Sequence, residues 1–291
     1  MPAADSPPDP STRPAWRALR DPRQVWRVIV GLILLVVAWR LLMAGLLPAT
    51  QDEAYYFDWA RSLAWGYFDH PPGVALLGAT TWLAPGSALA ARLGGVLAGL
   101  LTLLVLARLY WNAGLRDRPV LGLALVLAAA SLPALAGGFL LTPDTPLALA
   151  WALALHESER ALAGQRRRWL SAGIATGLGL LGKYTMVVIG PVFLWAILRS
   201  DPRALRTPWP YLGGLLALLV FAPNLIWNAE NDWLTLRFQL GHGFALDSGA
   251  LIDPTQTGGE GGVIEHSGPQ SPLERAGSLL GYLGTQLGFW G

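Results

Sequence analysis

VWRVIVGLILLVVAWRLLMAGLL, residues 25–47, decides the fold. At about 1.5 Å per residue a helix over this run covers the ~30 Å hydrocarbon core of a bilayer. It starts too far into the chain, and lacks a following small-residue cleavage site, to be a removable leader, so it reads as a signal anchor and first span. Residues 1–24, rich in Pro, Asp, Ser and Arg without an apolar period, read as a disordered cytoplasmic tail. Outward from this span, apolar runs recur at 72–84, 88–111, 119–141, 146–163, 169–182, 184–199, 209–227 and 273–291. The 72–84 run is short and follows Pro71-Pro72, so it is expected as an interfacial or re-entrant helix. The glycine-rich, scattered-acid stretch 245–272 is expected as a flexible outer loop, and 273–291 as the start of a further span at which the chain is truncated.

Composition agrees with a membrane solvent. Of 291 residues 53% are hydrophobic and 14% charged, with mean hydropathy +0.41, whereas a soluble domain has about a quarter of its residues charged. With no cysteine, disulfides, thiolate metal sites and cysteine nucleophiles are excluded. The net charge of +2 does not point to nucleic acid, because the basic residues sit in short clusters between apolar runs. Arg13, Arg17, Arg20, Arg23 and Arg27, then Arg108, Arg116 and Arg118, then Arg166, Arg167 and Arg168, then Arg199, Arg203 and Arg206 all fall on one side if the 72–84 helix does not cross. The positive-inside rule makes that side cytoplasmic. The alternate loops, which begin at Thr50, Thr142, Gly182 and Trp227, then share the outer face and carry the unusual polar clusters.

In QDEAYYFDWAR (51–61), Tyr55 or Tyr56, Trp59 and Leu63 recur at helical spacing, as expected of an amphipathic interfacial helix with aromatic anchors. Thr50 and Glu53 match a capping box, and Asp58 and Arg61 an i, i+3 ion pair. Asp52 is needed for neither. A helix N-terminus stabilises an acid there, and a carboxylate at the membrane boundary against an aromatic wall can equally serve as a general base. In GYFDHPPG (66–73) capping and a tight turn account for most residues, with His70 a candidate for a direct role. In TPDTP (142–146) Asp144 either caps a span or, if it faces Asp52, binds substrate or orients a base. Lys183 lies between two apolar runs and either snorkels to the interface or meets a phosphate. Trp227 and Trp233 fit an aromatic belt. Arg237 and His242 are either further cationic donors or part of a solvated loop face.

Taken in order, DEAYYFD (52–58), GYFDHPP (66–72), TPDTP (142–146), GKYT (182–185), IWNAEND (226–232) and RFQLGHG (237–243) resemble the integral-membrane glycosyltransferases of the GT-C class. The resemblance is to glycosyltransferase family 39 and its relatives: protein O-mannosyltransferases, the aminoarabinose transferase of lipid A and rhizobial galacturonosyl transferases. It implies an all-α, polytopic transmembrane helix bundle of GT-C type with amphipathic juxtamembrane helices in the first outer loop. It also implies a polyprenyl-phosphate-linked sugar donor, a glycolipid or protein acceptor, and a site at the outer face of the inner membrane with the N-terminus cytoplasmic. By the same resemblance Asp52 is the base of an inverting displacement, and Lys183 and Arg237 attend the donor phosphate. Glu53, Tyr55, His70, Asp144, Tyr184 and His242 complete the expected substrate-binding set. No cofactor or metal is assigned. The competing readings are a lipid or solute transporter, which would favour internal repeats and broken midplane helices, and an inactive truncated scaffold.

Overall fold

The computed structural model describes residues 22–115 and 118–244. The expected loop 245–272 and final span 273–291 lie outside them, as does the tail up to residue 21; the first helix begins at Pro22, inside the stretch expected as tail. The described residues form helices and no strand. In order these are α1 (Pro22–Leu46), α2 (Gln51–Arg61), α3 (Gly73–Gly78) running into a 3-10 turn Ala79–Leu83, and α4 (Ala88–Asn112). Then follow α5 (Arg118–Ala130), α6 (Leu132–Gly137), α7 (Asp144–Leu162) and α8 (Arg168–Gly182). After a 3-10 turn Tyr184–Val188 come α9 (Ile189–Ser200), a 3-10 turn Pro202–Arg206, α10 (Trp209–Glu230) and α11 (Leu234–Phe244). Residues to Trp227 form one compact unit and those from Asn228 a second.

Among the described residues three helices are long and apolar enough to cross a membrane unaided: Arg27–Leu46, Ala88–Asn112 and Trp209–Glu230. Their outward rows are bare hydrocarbon, as at Leu34, Leu35, Leu104 and Leu218, which suits lipid rather than water. The apolar run 119–141 is broken into α5 and α6 at Ser131, two residues before Pro133, which has no N–H to continue the ladder. The run 72–84 is indeed a short helix and a 3-10 turn.

Small residues let the helices approach. The buried faces of α7 and α8 meet through Ala150, Ala154 and Ala175, with Met186 and Ile189 closing the cluster. At Gly73 the first residue of α3 lies so close to the end of α8 that a Cβ would sit 2.7 Å from both the Gly182 Cα and the Leu181 carbonyl oxygen. Gly73→Val is therefore expected to lower stability by at least about 1–3 kcal/mol, the usual cost of overpacking. Thermal unfolding in detergent measures it, and an unchanged midpoint would contradict this contact.

Two arginines buried in helices were not anticipated. Arg92, near the start of α4, is wholly buried and uses its donors fully: Nε and Nη2 reach the Glu53 carboxylate at 2.8 and 2.6 Å, Nη1 the Ala44 and Leu47 carbonyls, and Nη2 also that of Pro48. It thereby satisfies carbonyls that the end of α1 would leave orphaned. Arg40 in α1 is 2% exposed and donates Nη2 to the Ala134 carbonyl at 3.1 Å; its Nε and Nη1 have no partner among the described residues.

The two ends of the first unit differ in charge. One end collects Arg166–Asp201 at 3.0 Å, Arg168–Glu157 at 3.1 Å and the approach of Asn112 to His156. The other collects the acidic loops described next.

Candidate active site at the acidic end of the bundle

The expected capping box opens α2: Thr50 Oγ1 accepts from the Glu53 N–H at 3.2 Å, and the Thr50 N–H donates to Glu53 Oε2 at 3.1 Å. Glu53 does more than cap. Its Oε1 also accepts from the Leu141 N–H at 3.0 Å, so one buried carboxylate ties α2 to α4 and to the loop before α7. Burial alone would raise its pKa, but the hydrogen bonds from Arg92, Leu141 and Thr50 and the Arg92 charge outweigh that and hold it below the ordinary carboxylate range. Glu53 was expected among the substrate-binding residues. With no exposed surface and both oxygens engaged, it belongs instead to the framework.

The aromatic stripe of α2 also differs from expectation. Tyr56 and Trp59 are buried against Val74, Ala75 and Leu141, and Trp59 stacks face to face on Tyr67 at 4.3 Å. The stripe faces protein rather than headgroups because α3 lies alongside and offers a better apolar surface. Leu63, just past the helix, is the exposed member. Asp58 and Arg61, both exposed, make no ion pair, as befits a solvated pair with little net gain.

Asp52 is on the first turn of α2 and exposed, with no hydrogen bond to the Glu53 network among the described residues. Asp69 lies nearby in the loop before α3, where Oδ1 accepts from the Tyr55 hydroxyl at 3.3 Å. Its Oδ2 is 3.0 Å from His70 Nδ1, close but out of line for a hydrogen bond. Across the bundle, Asp144 on the first turn of α7 accepts from Lys183 Nζ at 2.8 Å. Asp144 thus does not cap its own helix; it holds the lysine at the break after α8, where the backbone turns extended. The Tyr56 hydroxyl brings these groups together: burial first, then the negative charges of Asp69, Asp52 and Asp144, raise its pKa well above the usual phenol value. It therefore remains a neutral hydroxyl beside three carboxylates.

Tyr184 does not face this group as a free hydroxyl. It donates to Asn224 Oδ1 at 2.8 Å, while Asn224 Nδ2 donates to the Trp65 carbonyl at 2.6 Å, so the pair anchors the 65–70 loop to α10. Asn224 is wholly buried. Sequence reading passed over Arg92 and Asn224; the available signal was a lone polar residue inside an otherwise apolar helix. Asp69 enters the sequence pattern only within GYFDHPPG, where capping and a tight turn account for most residues.

In the second unit the Trp233 N–H donates to the Asn228 carbonyl at 2.7 Å, and Asn228 Oδ1 accepts from the Leu236 N–H. Asp232 and Trp233 both adopt positive φ, 53° and 58°, in the turn that starts α11. Arg237 is exposed on α11, which also carries His242. Among the described residues no three of His, Asp and Glu gather as a metal-ion cage.

Comparison with known proteins identifies the family. Residues 69–227 match the family model described as dolichyl-phosphate-mannose-protein mannosyltransferase. The chain is also similar to lipid A galacturonosyltransferase RgtD of Rhizobium johnstonii, with 28% identity over 75% of this chain and 46% of that protein. The chain thus spans just under half the length of that curated relative. No solved structure matches it. Since the family model covers more than half of its residues, from the Asp69 loop through Asp144 and Lys183 to Trp227 in the last turn of α10, the chain belongs to this GT-C membrane glycosyltransferase family.

Proposed function

We propose that this protein moves a sugar from a polyprenyl-phosphate carrier to an envelope acceptor, such as lipid A or another glycolipid, at the outer face of the inner membrane. The supporting observations are the Lys183–Asp144 pair at 2.8 Å and the Tyr55–Asp69 contact, with the negative charges of Asp69, Asp52 and Asp144 all felt at Tyr56. The arginine-rich opposite end supports the orientation, because basic loops stay cytoplasmic.

In the proposed displacement the acceptor hydroxyl oxygen attacks the anomeric carbon, and Asp52 takes its proton. The bond from that carbon to the carrier phosphate breaks with inversion, and the phosphate leaves with the electron pair. A phosphate leaving group needs charge stabilisation rather than the protonated second carboxyl of glycoside hydrolases. Lys183 supplies that charge, and Asp144 keeps its ammonium at the break after α8 until the donor arrives. Tyr55 and His70, gathered at Asp69, line the acceptor side. Arg237 and His242 are further candidates for donor contact.

The test is transfer of radiolabelled sugar from a polyprenyl-phosphate donor by the full protein in liposomes, with nucleotide-sugar and lipid-transport controls. Transfer from the lipid donor alone supports the reading; transport without transfer overturns it. Lys183→Met is expected to raise KM for the donor about ten- to a hundred-fold, as loss of one charge-assisted contact does. An unchanged KM and kcat would remove Lys183 from the site.

A further inference from the structure

At the arginine-rich end, opposite the candidate active site, a cavity of about 640 Å³ is lined by Arg166, Arg167, Arg168, Asp201 and Trp209. Its charges are not balanced. Arg166 is paired with Asp201 and Arg168 with Glu157, whereas Arg167 is exposed and places its guanidinium over the Trp209 ring at 5.4 Å, with no carboxylate partner among the described residues. Beside it lies a second hollow of about 260 Å³, almost wholly apolar, between α8, α9 and α10. No residue lines both, but Trp169 and Pro210 of the apolar hollow directly follow Arg168 and Trp209 of the basic one in sequence.

The apolar hollow has a structural cause. Gly173 and Gly213 bring α8 and α10 together so tightly that a Cβ on Gly173 would lie 2.7 Å from the Gly213 Cα. Lacking side chains, that seam is a floor, while Phe193, Leu194 and Ile189 of α9 form a wall. Leu194 is half exposed and Trp195 more so, and both face outward to the surroundings.

We propose that these adjoining hollows are one binding site for an anionic glycerophospholipid, its phosphate against Arg167 and part of one acyl chain in the α8–α9–α10 crevice. A surplus arginine beside a tryptophan suits a headgroup at the membrane boundary. The apolar crevice close by suits the tail, a part that a soluble anion lacks. This site is independent of the transfer chemistry and lies at the other end of the bundle.

The full protein is reconstituted in phosphatidylcholine nanodiscs with phosphatidylglycerol added, and retained lipid is read by native mass spectrometry. Wild type is expected to retain phosphatidylglycerol in preference to phosphatidylcholine. Arg167→Gln is expected to lower that preference about five-fold, the effect of one basic residue near a lipid surface, and Arg167→Lys to restore most of it. A phosphatidylglycerol analogue with a photoreactive acyl chain is expected to label α8 and α9 peptides around Gly173 and Phe193. Should Arg167→Gln not fold, the labelling of wild type decides by itself. Equal retention of the two lipids, labelling elsewhere, or displacement by inorganic phosphate at equal concentration would each overturn the assignment.

Discussion

Asp52→Asn is expected to fold normally and to lose sugar transfer by about 10²–10⁴-fold in kcat, the range associated with a positioned general base. Its side chain is exposed on the first turn of α2 and takes no part in the Thr50–Glu53–Arg92 network, so the isosteric amide should leave that scaffold intact. Donor KM should move little, because in the proposed mechanism Lys183 rather than Asp52 meets the charge on the phosphate. The measurement is single-turnover transfer with purified protein whose thermal midpoint matches wild type. Undiminished turnover would take the base role away from Asp52, and Asp69 would be the next residue to replace.

The second large effect is on folding. Arg92→Ala should cost about 3–5 kcal/mol, the penalty for stranding one member of a buried ion pair, here Glu53 with zero exposure. It also frees three carbonyls at the end of α1. Replacing both partners, as Glu53→Gln with Arg92→Met, should recover much of the loss, since no charge is then stranded. Denaturation in mixed micelles gives the energies. A cost below about 1 kcal/mol for Arg92→Ala would show that the pair is not the anchor of α2. A Glu53→Gln variant that kept full stability but raised donor KM would return Glu53 to the binding set.

The same pair sets an acid limit on stability. Because the folded-state pKa of Glu53 is depressed, its contribution is present above the ordinary carboxylate value and is lost as pH falls through the lowered one. Stability measured downward from neutrality should therefore drop in the acid range for wild type, and less steeply for the doubly substituted protein. Equal slopes would mean that other carboxylates dominate.

Several elements were legible from residues alone. The first span, the short helix at 72–84 and the Thr50–Glu53 capping box follow from local rules of length, proline position and cap spacing, and those rules act over a few residues. The acidic motifs were recognisable, and counting arginines in loops gave the expectation that they share an outer face. Roles within that end were less legible. Glu53 and Asp52 are adjacent and chemically alike, yet one is buried on Arg92 and the other exposed, a distinction that depends on α4 lying behind α2. Tyr55 and Tyr56 were equivalent in the helical pattern until the packing of α3 buried the second of them. Tyr184 looked like a site residue because it follows Lys183, but Asn224, 40 positions on, takes its hydroxyl.

Sequence alone determined that the chain is a membrane helix bundle, with a first span, a short helix at 72–84 and a capping box, because hydrophobic length, proline position and cap spacing are local properties. Tertiary structure decided which acid is structural and which is free, that Lys183 meets Asp144, and that α8 and α10 close on bare glycine backbone. Those outcomes depend on which helices are neighbours, and a residue's burial and partners are set by atoms far away in the chain.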